Sequence, residues 1–123
     1  MPGETFPATP TPHAPPPDAV ASLADRVERA ASGSSRFLLG IAGSPGSGKT
    51  TLAAALVAAL NARRPGEAVA LPMDGFHLAN RTLDRLGRQD RKGAIDTFDG
   101  WGFLALLQRV HAETDHTVYA PSF

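Results

Sequence analysis

The sequence predicts one α/β domain with a parallel sheet and flanking helices, and three observations predict it. A continuous apolar run, Phe37-Leu38-Leu39-Gly40-Ile41-Ala42, leads into a glycine-rich turn. An Ala- and Leu-rich stretch of helical length, 49–63, follows that turn, and a second short apolar segment, 67–73, follows the helix. Strand, turn, helix and strand in this order make a βαβ unit, which requires parallel strands and a right-handed crossover. A chain of 123 residues has room for one such compact domain.

Residues 1–17 contain seven prolines and almost nothing to bury, so they are expected to form a disordered, partly polyproline-II tail. A solvated extension is preferred over a ligand for a proline-binding partner. The domain is then expected to span 18–123. Asp18 is placed as an N-cap, and Val20, Leu23, Val27 and Ala31 recur at helical spacing up to Gly33, which predicts a helix over 18–32. The apolar run at 36–42 reads as a strand buried on both faces. The helix over 49–63 is ended by Arg63, Arg64 and Pro65-Gly66. Val69 and Leu71 anchor a second strand at 67–73. A looser, charged stretch occupies 77–98, followed by a helix at about 99–113 capped by Asp99, and a short strand at 117–120. Trp101, Phe103, Leu104, Leu106 and Leu107 are read as core. About three strands make an incomplete sheet.

Composition excludes several function classes. Twelve Lys and Arg balance twelve Asp and Glu, so no overall field attracts nucleic acid or an acidic membrane. There is no cysteine, which rules out disulfides and thiolate metal sites and fits a cytoplasmic protein. The apolar run Leu52 to Leu60 is too short to span a bilayer, and no secretory signal pattern opens the chain. The oligomeric state is left open.

Gly43-Ser44-Pro45-Gly46-Ser47-Gly48-Lys49-Thr50 matches G-x-x-x-x-G-K-[ST] in full. For this composition a chance match is on the order of 0.002, and the motif lies between a predicted strand and a predicted helix, where its mechanism requires it. Gly43, Gly46 and Gly48 let the backbone take positive φ and curl around an anion. The resulting nest of amides, backed by a helix N-terminus, binds phosphates. Lys49 brings a positive charge to the β- and γ-phosphates, and the Thr50 hydroxyl is a ligand for Mg²⁺. Thr51 is grouped with this loop but read as a first-turn helix residue, not a metal ligand. The expected fold is therefore that of the P-loop NTPases, with ATP and Mg²⁺ as cofactors.

The next informative stretch is Leu71-Pro72-Met73-Asp74-Gly75-Phe76-His77. Asp74 falls at the carboxyl end of the second predicted strand, the sheet edge where open α/β folds place ligands. A carboxylate there can accept a proton from an attacking hydroxyl or assist Mg²⁺ through water. It can equally be a turn residue ahead of Gly75. Together, Gly43–Thr50, Met73–His77, Arg91-Lys92-Gly93-Ala94-Ile95-Asp96-Thr97-Phe98-Asp99 and Val118–Phe123 resemble the uridine kinase, prokaryotic pantothenate kinase and phosphoribulokinase group. Within that group they look most like its bacterial nucleoside/nucleotide kinase members. The resemblance covers about 36–123. It implies that Asp74 is the general base and that Lys92–Asp99 border the acceptor, with Lys92, Asp96 and Phe98 as candidate wall residues, although the spacing of Phe98 ahead of the next helix favours a core anchor. His77 and Arg81 become further acceptor contacts, although a lone histidine is more often hydrogen-bonded structure. Residues 81–92 carry a net +3, which suits an anionic group or a solvated charged loop.

The group's later elements, a further carboxylate for Mg²⁺, an arginine-bearing lid and the adenine pocket, find no match here. The chain is therefore expected to be the N-terminal part of such a kinase. Two readings follow: a small-molecule kinase in its longer form, or an ATP-binding fragment without catalysis. A P-loop ATPase without acceptor leaves Asp74 and Lys92–Asp99 without a role.

Overall fold

The structure, a computed structural model, describes residues 14–88, 90 and 95–122. Residues 1–13 of the expected tail, Gln89, Arg91, Lys92, Gly93, Ala94 and Phe123 lie outside the described residues. The chain divides into two compact units, one ending at Ala70 and one beginning at Leu71.

In the first unit, α1 runs over Pro17–Ala31 and α2 over Lys49–Arg63. α1 begins one residue earlier than expected, and Asp18 is not its cap. Pro17 occupies the first helical position, where its fixed φ suits the helix and its missing N–H costs nothing. Asp18 instead lies in the first turn, where its charge favours the helix dipole. Ala24, Leu56 and Leu60 form a small core cluster between α1 and α2, with Leu23, Val27, Ile41, Ala59 and Ala68 packed against it. Ala24 is small enough to let the two helices approach.

Two polar devices reinforce this packing. From the last turn of α2, the Arg63 guanidinium reaches Asp25 at 2.8 Å, Glu28 at 3.1 Å and the Ala21 carbonyl at 3.3 Å. The hydrogen bond to Asp25, with the charge of Glu28, raises the Arg63 pKa above its ordinary value. The Asn61 side-chain amide donates to the Ala68 carbonyl at 3.0 Å and accepts from the Ala68 N–H at 2.8 Å.

In the second unit, a 3₁₀ turn Met73–Phe76 precedes α3 at Asn80–Leu86. A second 3₁₀ turn, Ile95–Thr97, leads into α4 at Gly100–Ala112. Asp99 caps α4 as expected, accepting from the Gly102 N–H at 2.9 Å. α3 was not expected within the charged stretch. It is anchored by the fully buried Leu83 and closed by Gly87 and Arg88, whose amides donate to the carbonyls of Asp84 and Leu83. Among the described residues no helix is long and apolar enough to cross a membrane.

The three expected strands at 36–42, 67–73 and 117–120 form no ladder among the described residues. A strand needs a neighbour about 4.8 Å away to take its amides and carbonyls. At Ala68 both groups are taken by the Asn61 side chain. Phe37, Leu38 and Leu39 are each more than 40% exposed, and Val69 is 87% exposed, so neither segment is buried on two faces. The backbone pairing that does form is an isolated antiparallel bridge between His77 and Phe98. Trp101 also departs from expectation, standing 83% exposed on α4 instead of in the core, with Leu104 partly exposed beside it.

Candidate active site

The phosphate loop belongs to the first unit. Ser47 donates its N–H to the Ser44 carbonyl at 3.1 Å, turning the chain across Pro45 and Gly46. Gly46 and Gly48 have φ of 78° and 92°, left-handed conformations that a side chain disfavours. Gly43 does not share that conformation, which corrects the expectation for it. A Cβ there would lie 2.5 Å from the Ser47 Oγ, so the serine hydroxyl would have to turn aside.

Gly48 precedes α2, and the first bond of that helix joins the Leu52 N–H to the Gly48 carbonyl at 2.9 Å. The amides of Lys49, Thr50 and Thr51 are therefore the orphan donors of the helix start, next to the positive end of its dipole. The Lys49 ammonium turns back over the loop and donates to the Gly43 carbonyl at 2.9 Å. Gly46, Gly48, Lys49, Thr50 and Thr51 line a cavity of about 230 Å³. Its donors are amides, hydroxyls and one ammonium, with no carboxylate in the lining, a set that fits a polyphosphate.

The other candidates lie in the second unit. Asp74 is exposed on the 3₁₀ turn, and its carbonyl accepts from the His77 N–H at 3.1 Å. His77 is half-buried, packs edge-on against Phe98 with ring centroids 4.8 Å apart, and donates from Nδ1 to the Leu78 carbonyl at 3.0 Å. On either side of that pair, Leu78 N–H donates to the Thr97 carbonyl at 2.8 Å and Asp99 N–H to the Phe76 carbonyl at 2.7 Å. The segment 95–99 is thereby tied to the segment that carries Asp74.

Asp96 is half-buried and faces Arg88, whose Nε lies 3.7 Å from its carboxylate and whose Nη1 donates to its backbone carbonyl at 3.0 Å. Arg81 is exposed on α3. Lys92 lies outside the described residues.

Sequence reasoning did not foresee the Arg88–Asp96 contact, the crowding at Gly75, or the Asn61–Ala68 pairing in the last turn of α2. Arg88 had a signal in the Gly87-Arg88 helix ending. The pairing of Asn61 with Ala68 had none beyond proximity along the chain. Among the described residues, no group of three or more His, Asp or Glu side chains forms a metal cage.

Three comparisons bear on this site. Residues 38–103 match the Phosphoribulokinase / Uridine kinase family. The chain is 45% identical over 93 residues to a candidate uridine kinase of Schizosaccharomyces pombe, an alignment covering 72% of this chain and 40% of that protein. It is 38% identical over 88 residues to the pantothenate kinase of Limosilactobacillus reuteri, covering 71% of this chain and 28% of the relative. Among solved structures, a candidate fructose transport system kinase from Silicibacter sp. superposes with a TM-score of 0.70 at 43% identity, over 76% of this chain and 46% of that one. The chain thus spans less than half the length of the relatives it matches. The matched span contains both the phosphate loop and the Asp74 turn, and the fold it implies is that of the P-loop NTPases. The chain belongs to the phosphoribulokinase/uridine kinase family.

Proposed function

We propose that this chain carries the phosphate-binding and base-bearing part of a kinase that moves the γ-phosphate of ATP onto a hydroxyl of a small molecule. The acceptor classes that fit are a nucleoside, a pantothenate-like alcohol and a sugar. The observation that carries the reading is the loop at the head of α2, where two left-handed glycines, orphan amides and the Lys49 ammonium meet in one cavity.

In this mechanism the backbone of Gly43–Gly48, with Ser44, Pro45 and Ser47, cradles the phosphates, and the amides of Lys49, Thr50 and Thr51 face them. Lys49 stabilises charge on the β- and γ-oxygens as it builds up. The Thr50 hydroxyl, exposed on the first turn of α2, fits an Mg²⁺ ligand. When bound, the ion neutralises charge on the phosphate oxygens. Asp74 takes the proton of the acceptor hydroxyl as its oxygen attacks the γ-phosphorus, and the bond to the bridging oxygen breaks to release ADP. A role for Asp74 in holding Mg²⁺ through water is compatible with the same position. His77, Arg81, Lys92 and Asp96 border the acceptor.

The finer fold belongs to the same proposal: 36–42, 67–73 and 117–120 as strands of a parallel sheet of about three strands, supported by the apolar run at 37–42 and by the likeness to the solved relative. A cytoplasmic site of action agrees with a cysteine-free chain.

The test is ADP release measured with uridine, pantothenate and fructose in turn. The proposal expects ADP formation that depends on one of the three, with the matching phosphorylated product. ADP release at one rate with or without any acceptor would favour a bare ATPase.

A further inference from the structure

The turn that carries Asp74 is held more firmly than a surface turn requires. One end is fixed by the Asp99 N–H bond to the Phe76 carbonyl at 2.7 Å. The Phe76 ring packs edge-to-face on Phe103 of α4, with centroids 5.2 Å apart. In the middle of the turn Gly75 makes a third contact. A Cβ built there would overlap the carbonyl oxygen and carbon of Pro121 and lie 3.2 Å from the Ser122 nitrogen. Gly75 does not have a positive φ, so it is glycine for room and not for backbone freedom.

We infer that Gly75 is a positioning residue and that the Pro121–Ser122 peptide is the abutment that sets where Asp74 stands. The inference rests on the assignment of Asp74 as the base. A hydroxyl-activating carboxylate has to be held in the geometry of proton transfer, and a turn left to itself does not hold it. Here the neighbouring atoms are backbone, which cannot swing aside as a side chain can. Pro121 stiffens the abutment further, because its ring fixes its own φ. Adding a Cβ at 75 forces the turn or the abutment to move by about 1 Å to reach van der Waals separation. A displacement of that size at a reacting group costs on the order of 10²-fold in rate. The phosphate loop is not part of this contact, so nucleotide affinity is left as it was.

The experiment compares the intact protein with Gly75→Ala, Pro121→Gly, the double variant and Asp74→Asn. The acceptor is whichever of uridine, pantothenate and fructose the parent phosphorylates fastest. Gly75→Ala is expected to lower kcat roughly 10- to 100-fold while the KM for ATP stays within about twofold. The double variant is expected to recover several-fold of that loss, because a glycine at 121 lets the abutment yield. This rescue is the readout that general destabilisation does not give. If Gly75→Ala does not fold, as judged by circular dichroism, Pro121→Gly alone carries the test. It loosens the abutment without adding bulk and is expected to lower kcat with an unchanged KM for ATP. Parental kcat in both Gly75→Ala and Pro121→Gly, with Asp74→Asn impaired, overturns the positioning role alone. A fall in kcat matched by an equal rise in the KM for ATP also overturns it. Parental turnover in Asp74→Asn overturns the base assignment beneath it.

Discussion

Replacing Lys49 with alanine isolates the electrostatic part of nucleotide binding. The ammonium has three N–H donors, and one of them is already engaged by the Gly43 carbonyl at 2.9 Å. Two donors remain for phosphate oxygens, so binding need not break the existing bond. What Lys49→Ala removes is then a charge-assisted contact to phosphate, worth roughly 1.5–3 kcal/mol. That corresponds to about a 10- to 150-fold loss of affinity. The helix itself should tolerate the change, since alanine has the highest helix propensity and the Leu56–Leu60 contacts lie more than a turn away. Calorimetric titration with ATP and Mg²⁺ measures the effect, and circular dichroism confirms that α2 is retained. Equal dissociation constants for the variant and the parent would mean that the loop is an empty turn, and the reasoning from its geometry would fail.

Further outcomes follow from the packing and the charges. Leu60→Ala, at a site only 7% exposed, should destabilise the first unit by about 2–5 kcal/mol in urea denaturation, and Leu56→Ala should act alike. Arg63→Ala should lower the melting temperature by releasing α1 from α2, and the difference from the parent should shrink in high salt because the pairs are partly solvated. Glu113 accepts from the Asp115 and His116 amides and from the His116 ring, which holds its carboxyl below the usual carboxylate range. Because its folded pKa is depressed, the stability it contributes is present above the ordinary carboxylate pKa and is lost as pH falls through the folded value. Thermal melts of Glu113→Gln should therefore differ from the parent near neutrality and converge in acid.

The parts of the fold set by local chemistry could be read from the sequence. α2 begins at Lys49 and ends at Arg63 because a glycine turn opens it and Arg-Pro-Gly closes it, and both signals lie within a few residues of the boundaries. Asp99 caps α4 for the same reason. The phosphate loop was legible because its chemistry is contiguous along the chain. The pairing of the expected strands was not, since an apolar run says what a segment can bury but not what pairs with it. The carbonyl and amide of Ala68 went to a side chain, Asn61, which no periodicity marks. Val69 and Trp101 are apolar yet exposed, since burial depends on what lies opposite a residue. α3 was hidden by its charges, with a single buried leucine holding it. Gly75 looked like an ordinary turn glycine, and its close approach to Pro121 is a tertiary contact that no local signal encodes.

The central claim is that Asp74 acts in phosphoryl transfer and not merely in a turn, and an isosteric change separates the two. Asparagine keeps the side-chain-to-backbone bonding of a turn aspartate but cannot accept the acceptor's proton. The measurement is single-turnover transfer of the γ-phosphate from labelled ATP to the acceptor by the parent and by Asp74→Asn, with the ATP dissociation constant determined in parallel. The account predicts a rate about 10²- to 10⁴-fold lower in Asp74→Asn, with ATP binding unchanged. Transfer at the parental rate in Asp74→Asn would contradict it.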